Sequence, residues 1–257
     1  MEIIESDTLD DRGRMLLLYG ETGVGKTQSI LQTIPKPCLW IPLERKDAKK
    51  NYSMAVEIAG LKKSDIMIAK YEDWQDTMDF LYNPENTQKF ASIFVDGLTH
   101  LMFIDMMQEI ENQSLEGMKK NRDLMDKIKD KPLAYIVKGG QENYGTLNTV
   151  TIRMLEALTE LSLGGKCIVF SALLDENPKW NRELSASPLI AGKAFAKSIP
   201  VFFGTIGLVV PITKDGKVTY PPGVKLRSDD DSFMARYTGH PDSKTNVRLD
   251  INAILAL

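Results

Sequence analysis

The chain has 257 residues, of which 43% are hydrophobic and 26% charged, a composition typical of a globular protein. Its net charge of -3 excludes a protein that binds nucleic acid through overall positive charge, so any such surface has to be local. No apolar run reaches the roughly 18 residues of a membrane span, and the acidic start has no signal-peptide core. We therefore expect a cytoplasmic protein, without membrane contact, that consists of a tail (1–13) and one domain (14–257).

The cysteine and histidine residues do not form a recognisable metal site. Cys38 and Cys167 each lie within an apolar run, which predicts buried, reduced thiols rather than a disulfide. His100 and His240 are far apart in sequence and have no ligand-like spacing to a cysteine or to each other. A zinc site is therefore not expected.

The first predicted strand, residues 15–19, leads directly into GETGVGKT, which matches the phosphate-loop pattern G-x-x-x-x-G-K-[ST] at every fixed position. A helical pattern follows and ends at Pro35. Backbone N–H groups and a helix N-terminus at this place favour bound phosphate. We expect Lys26 to contact the β- and γ-phosphates of ATP and to act in catalysis, and Thr27 to bind Mg²⁺. The predicted nucleotide-binding residues are Gly20, Glu21, Thr22, Gly23, Val24, Gly25, Lys26, Thr27 and Gln28.

Another predicted apolar strand, residues 93–95, ends at Asp96. An Asp at the end of a buried strand about 70 residues after a phosphate loop indicates a Walker B carboxylate, which holds Mg²⁺ directly or through water. The alternative is a turn residue, because Asp-Gly is also a common turn dipeptide. The next residue is Gly97, whereas the AAA+ pattern has a Glu directly after the Walker B Asp.

Glu44 follows the predicted strand at 38–43, the first strand after the phosphate-loop helix. RecA-like ATPases place their water-activating Glu there, and the reaction needs a carboxylate within reach of the attacking water. Glu44 is therefore the predicted catalytic base. A surface residue paired with Arg45 or Lys46 is the alternative.

The remaining elements predict an α/β fold. Helices are expected at 48–59, 74–82 and 148–163, strands at 66–69 and 167–170, and an apolar-leaning helix followed by alternating charges, read as a solvated helix, within 101–131. IGLVVPI, TKDGKVTY with an Asp-Gly turn, and FMARYT then indicate antiparallel strands before a last helix at 251–257. We expect a mostly parallel sheet flanked by helices, with antiparallel strands toward the C-terminus.

Several blocks between about Met15 and Tyr237 resemble those of the phage nucleotide-binding proteins related to the RecA-like single-strand annealing ATPases of bacteriophages. These blocks are LLLYGETGVGKTQSILQTIPKPCLWIPLE, SIFVDGLTHL, QENYGTLNTVTIRMLEALTEL with KCIVFSAL, and SPLIAGKA. The resemblance implies a RecA-like core that binds ATP and Mg²⁺ in the cytoplasm of an infected bacterium. It also implies a role in DNA recombination by single-strand binding and annealing, with other phage recombination proteins as partners. Lys26, Thr27, Asp96 and Glu44 carry over in the roles given above.

Two parts of that resemblance concern residues that complete the ATPase site. RecA has a polar amide that senses the γ-phosphate at the end of the strand matching CIVFS, and Ser171 and Ala172 stand there instead. Ser171 is the candidate sensor, although its side chain is shorter. Rings and filaments of RecA-like proteins also supply a basic residue from the neighbouring subunit. The candidates for this role, each of which is otherwise a surface charge, are Lys193, Arg227 and Arg236.

The segment LLDENPKWNRELSASP follows the strand at 167–170 and is the predicted DNA-binding loop. Lys179 and Arg182 would neutralise backbone phosphates, and Trp180 would stack on a base of any identity. The alternative is that Trp180 folds back as an anchor while acidic neighbours cancel the charge. Those acidic neighbours are Asp175, Glu176 and Glu183.

Two functions of different classes follow from these observations. The first is a DNA-dependent ATPase of phage recombination that assembles as a ring or filament. The second is an ATP-gated assembly or partner-binding module with little turnover and no direct DNA binding. A small-molecule kinase is less favoured, because such kinases need a basic lid and the Lys- and Arg-rich segment near 119–131 is heavily neutralised by acidic residues.

Overall fold

The computed structural model describes residues 14–43, 57, 60–62, 64–112, 140–181, 183–228, 232–238 and 246–256. Several of the predictions above fall outside these ranges and are not addressed by the structure. They are the tail 1–13, Glu44 with Arg45 and Lys46, most of the helix predicted at 48–59, the charged segment 114–132, Arg182 and His240.

Strands and helices alternate through the first two thirds of the described chain, as predicted. The strands are β1 (Met15–Gly20), β2 (Cys38–Pro42), β3 (Ile66–Ile68), β4 (Ser92–Asp96), β5 (Cys167–Glu176), β6 (Ala186–Pro188), β7 (Thr205–Lys214), β8 (Lys217–Lys225), β9 (Arg236–Tyr237) and β10 (Asn246–Arg248). The α-helices are α1 (Lys26–Thr33), α2 (Trp74–Tyr82), α3 (Pro84–Thr87), α4 (Leu98–His100), α5 (Gly140–Leu163), α6 (Lys193–Ser198) and α7 (Ile251–Ala256). A π-helix, Leu101–Met106, continues α4, and a 3₁₀-helix, Ile199–Phe202, continues α6.

The strands form one sheet in the order β10-β8-β7-β1-β5-β4-β2-β3, with β6 paired to β5 and β9 paired to β7. Pairing is parallel from β3 through β2, β4, β5 and β1 to β7. Strands β8, β9, β10 and β6 pair antiparallel. The predicted α/β fold, with a mostly parallel sheet and antiparallel strands toward the C-terminus, is therefore confirmed.

Several element boundaries differ from the prediction, three of them most clearly. Strand β5 runs six residues beyond its predicted end at 170, because its distal half pairs with β6. Helix α5 starts at Gly140 rather than at 148. In FMARYT only Arg236–Tyr237 is a strand, and it pairs with the buried start of β7. The predicted Asp-Gly turn between β7 and β8 is confirmed, with φ of 52° at Asp215 and 74° at Gly216.

The sheet separates two hydrophobic cores. All six residues of β1 are buried, and alternate side chains point to opposite faces. Leu17 and Tyr19 join a core with α5 and α2, whereas Leu16 and Leu18 join a core with α1 and α7. Because β1 is covered on both faces, the loop that follows it extends from a fixed base. No helix in the described part of the chain is long and apolar enough to cross a membrane.

Cys38 and Cys167 are free and buried, as predicted. Burial raises the pKa of Cys38 to about 11 and that of Cys167 to about 12, because a thiolate is poorly solvated in the core.

We expect both thiols to resist alkylation in the native protein at pH 8.5. Burial raises both pKa values, so the reactive thiolate is scarce until the pH approaches 11, whereas an unfolded cysteine with a pKa of about 8.5 is half ionised. Modification by iodoacetamide, followed by mass spectrometry, should be at least about 100-fold slower than in urea. Equal rates in buffer and in urea would show that these thiols are accessible.

Candidate nucleotide-binding site

The phosphate loop links β1 to α1 at the carboxyl edge of the sheet. Gly23 and Gly25 have φ of 79° and 97°, values that favour glycine, and helix α1 begins directly after Gly25. Gly20 is required for a different reason, since a Cβ there would lie 2.5 Å from the carbonyl oxygen of Val209 on β7. The sequence thus folds into the phosphate-loop geometry that its motif predicts.

The Lys26 side chain curls over the loop. Its Nζ donates hydrogen bonds of 2.8 Å to the carbonyl oxygens of Gly20 and Glu21. Phosphate oxygens are the ligands expected to compete for this ammonium group. The lysine is therefore held at the place where the predicted β- and γ-phosphates belong.

The Asp96 carboxylate collects side-chain hydrogen bonds at the end of β4. Thr27 Oγ1 donates to it at 3.0–3.1 Å, and Ser171 Oγ donates to its Oδ1 at 2.7 Å. Ser171 lies opposite Asp96 in the parallel pairing of β4 and β5. The structure thus brings together the two predicted Mg²⁺ residues and the candidate sensor. A carboxylate beside a hydroxyl is a set of hard oxygen donors, which fits Mg²⁺.

Trp40 is a fourth member of this cluster and was not predicted. Its Nε1 donates to Asp96 Oδ2 at 3.2 Å from the neighbouring strand β2, and only 1% of the residue is exposed. It lies in the strand predicted at 38–43, within the apolar run that was expected to be buried. The available signal was the indole N–H itself, which needs a hydrogen-bond partner when it is buried.

A cavity of about 610 Å³ opens in front of these residues. Six of the nine predicted nucleotide-binding residues line it, namely Thr22, Gly23, Gly25, Lys26, Thr27 and Gln28, together with Asp96 and Ser171. Glu21 and Gly20 instead accept the Lys26 hydrogen bonds, and Val24 packs against the α1 core. Lining residues that were not predicted include Trp40, His100, Phe103, Ile104, Leu189 and Tyr220. The cavity therefore has a polar phosphate-loop part and an apolar wall on the side of the π-helix.

The three basic residues proposed to act in a neighbouring site do not line this cavity. Lys193 begins α6. Arg236 donates to the carbonyl oxygen of Pro200 at 2.6 Å, and Arg227 lies 5.6 Å from the centre of the Tyr237 ring. Their role between subunits stays a prediction.

The predicted DNA loop, residues 173–188, is described except for Arg182. Its two ends are not loop, because they pair as the end of β5 and as β6, so that the loop itself is 177–185. Trp180 is partly buried and packs against the α5 core, which is the anchor arrangement stated as the alternative. Lys179 is exposed. Burial raises the pKa of Asp175, and the Lys179 charge partly opposes that rise. The charges of Asp175 and Lys179 therefore partly offset each other at the base of this loop.

We expect Trp40→Phe to couple energetically to Asp96→Ala. Removing the indole N–H should cost about 1–3 kcal/mol of unfolding free energy while Asp96 is present, and less once the carboxylate is gone. Urea denaturation of both single variants and the double variant measures this coupling.

Trp74→Phe is the matched control, because Trp74 Nε1 donates at 3.2 Å to the Val150 carbonyl oxygen, away from Asp96. Its effect should add to that of Asp96→Ala. If the effects of Trp40→Phe and Asp96→Ala on the unfolding free energy were also additive, the hydrogen bond between the two residues would contribute nothing to stability.

A comparison with known families identifies the family of this chain. The family described as AAA domain matches residues 12–210. A KaiC-like protein from the hyperthermophilic archaeon Pyrococcus horikoshii is similar in structure, with 13% sequence identity and a TM-score of 0.41 over 86% of this chain and 81% of that chain. Among curated proteins, none matches the chain significantly. The family match covers most of the chain and includes the phosphate loop, Asp96 and Ser171, although Gly97 follows the Walker B Asp. The chain therefore belongs to the AAA domain family of ATP-binding P-loop proteins.

Proposed function

We propose that the protein is a Mg²⁺-dependent ATPase of phage DNA recombination that binds single-stranded DNA as an oligomer. The observation that supports ATP hydrolysis most directly is the cluster at Asp96, where Thr27 from the phosphate loop and Ser171 from β5 donate to one carboxylate. A metal bound there would neutralise charge on the β- and γ-phosphates. Lys26 would hold those phosphates.

Glu44 is the proposed base that orients and deprotonates the attacking water. Leu43, the residue before it, donates its backbone N–H to the Asp96 carbonyl oxygen at 3.1 Å. Pro42 lies opposite Asp96 in the parallel pairing of β2 and β4. Leu43 therefore lies beside the end of β4, which supports a role for the residue that follows it in activating water near the Walker B carboxylate.

Ser171 is the proposed sensor of the γ-phosphate. Its hydroxyl now donates to Asp96, and the same O–H group can donate to a phosphate oxygen instead. The loop proposed to bind DNA follows on the same strand, β5. A shift of Ser171 on binding the γ-phosphate could therefore be passed along β5 to the DNA loop. A DNA-dependent ATPase needs such a connection between its two sites.

The alternative function is an ATP-gated assembly module that binds a protein partner rather than DNA. One observation favours it: Trp180, the aromatic residue proposed to stack on bases, packs instead against the protein core. Both proposals include self-association. Both also include a basic residue that a neighbouring subunit supplies, which is Lys193, Arg227 or Arg236.

ATP hydrolysis with and without a single-stranded oligonucleotide, at low and at moderate salt, separates the two functions. The recombination function predicts stimulation by DNA that falls steeply with salt, because Lys179 and Arg182 would displace counterions from phosphates. Lys26→Ala should bind ATP at least about tenfold more weakly, since it removes the cation at the phosphates. An ATPase rate that ignores DNA, with no DNA binding at either salt, would favour the assembly module.

We expect Glu44→Gln to bind ATP as tightly as the wild type and to lose at least about 100-fold in turnover, the usual contribution of a general base. The amide keeps the size of the side chain and removes its basicity. Single-turnover hydrolysis and equilibrium ATP binding are the measurements. Glu156→Gln, which removes an exposed carboxylate on α5 that does not line the cavity, is the control and should hydrolyse ATP normally. Normal turnover by Glu44→Gln would remove Glu44 from the mechanism.

A further inference from the structure

Tyr220 reaches the phosphate loop from β8, a strand that the nucleotide motifs do not include. A Cβ on residue 25 would overlap the Tyr220 phenol group, so Gly25 is needed for this contact as well as for its backbone conformation. Tyr220 therefore lies against the first turn of the phosphate-loop helix.

This contact covers only part of the Tyr220 side chain. It is 48% exposed, and it lines the same cavity as Thr22, Gly23 and Gly25. Burial raises the pKa of Tyr220, and the Ser29 hydroxyl partly opposes that rise, so the phenol is neutral at physiological pH. A neutral aromatic ring beside a phosphate loop has no charge that would repel a nucleotide.

The sheet order indicates which end of a nucleotide lies near this ring. Strand β1 leads into the phosphate loop, with β5 and β4 on one side and β7 and β8 on the other. Ser171 and Asp96 lie on the first side and mark the γ-phosphate and metal end of the site. A triphosphate that passes along the loop from that end directs its nucleoside toward β7 and β8, where Tyr220 stands.

We infer that Tyr220 is a nucleoside-binding residue whose ring stacks on the purine base of the bound nucleotide. The inference rests on the proposed ATP site and adds the recognition of its nucleoside half. Aromatic rings stack on bases through their π-faces, and the contact excludes water from both surfaces.

The test compares the affinities of the full chain for ATP and for inorganic tripolyphosphate, each with Mg²⁺, by isothermal titration calorimetry. Tyr220→Ala should weaken ATP binding by about tenfold, the usual size of one base–aromatic contact, and leave tripolyphosphate binding unchanged. Tyr220→Phe keeps the ring and should bind ATP nearly as well as the wild type.

The matched control is Tyr82→Ala, which removes a tyrosine that is 58% exposed at the end of α2 and should change neither affinity. If Tyr220→Ala does not fold, Tyr220→Leu, which keeps apolar volume without an aromatic ring, is measured in the same way and should show the same selective loss.

Four results would overturn the inference. Equal losses for ATP and tripolyphosphate would mean that Tyr220 only supports the shape of the loop, and gains for both would mean that it obstructs the site. Unchanged affinities would exclude contact with the nucleotide. A selective loss of ATP binding in Phe103→Ala, with none in Tyr220→Ala, would place the base against the π-helix. If the wild type binds neither ligand, or if Lys26→Ala changes neither affinity, the proposed ATP site itself is wrong.

Discussion

The site depends on one carboxylate that is held by groups from three other elements. Asp96 accepts hydrogen bonds from Thr27 at the start of α1, Trp40 on β2 and Ser171 on β5. Hydrogen bonds to an ionised group are stronger than those between neutral groups, and each donor also fixes the orientation of the carboxylate. The parallel register, with Asp96 opposite both Ser171 and Pro42, makes this convergence possible. The order of the strands therefore determines which side chains meet at the carboxylate.

The sequence predicted those parts of the site whose residues are close together in the chain or belong to a known motif. The phosphate loop is formed by consecutive residues, and the strand that ends at Asp96 can be recognised as an apolar run. Thr27 and Asp96, 69 positions apart, were each predicted to bind Mg²⁺ because both belong to motifs that share this ligand. The alternation of strands and helices likewise predicted the parallel sheet.

Trp40 and Tyr220 were missed because their roles depend on tertiary contacts. The hydrophobic pattern places Trp40 in the core, which is correct, but it carries no information on the partner of the indole N–H 56 positions away. Tyr220 follows a turn signal and belongs to a hairpin, and only the pairing of β7 with β1 brings that hairpin to the phosphate loop. The extension of β5 has a similar origin, because it results from pairing with β6 rather than from local propensity.

The same edge of the sheet links the carboxylate to the loop between β5 and β6. Thr99, three residues after Asp96, accepts a hydrogen bond from Leu173 N and donates one to the carbonyl oxygen of Leu189. Leu189 N in turn donates to the Leu173 carbonyl oxygen at 2.8 Å. These bonds join α4, which follows β4, to β5 before the loop and to the residue after β6, in addition to the bond from Ser171. The residues after β4 and the base of the loop are therefore held by one contiguous set of hydrogen bonds, the kind of network through which two sites can be coupled.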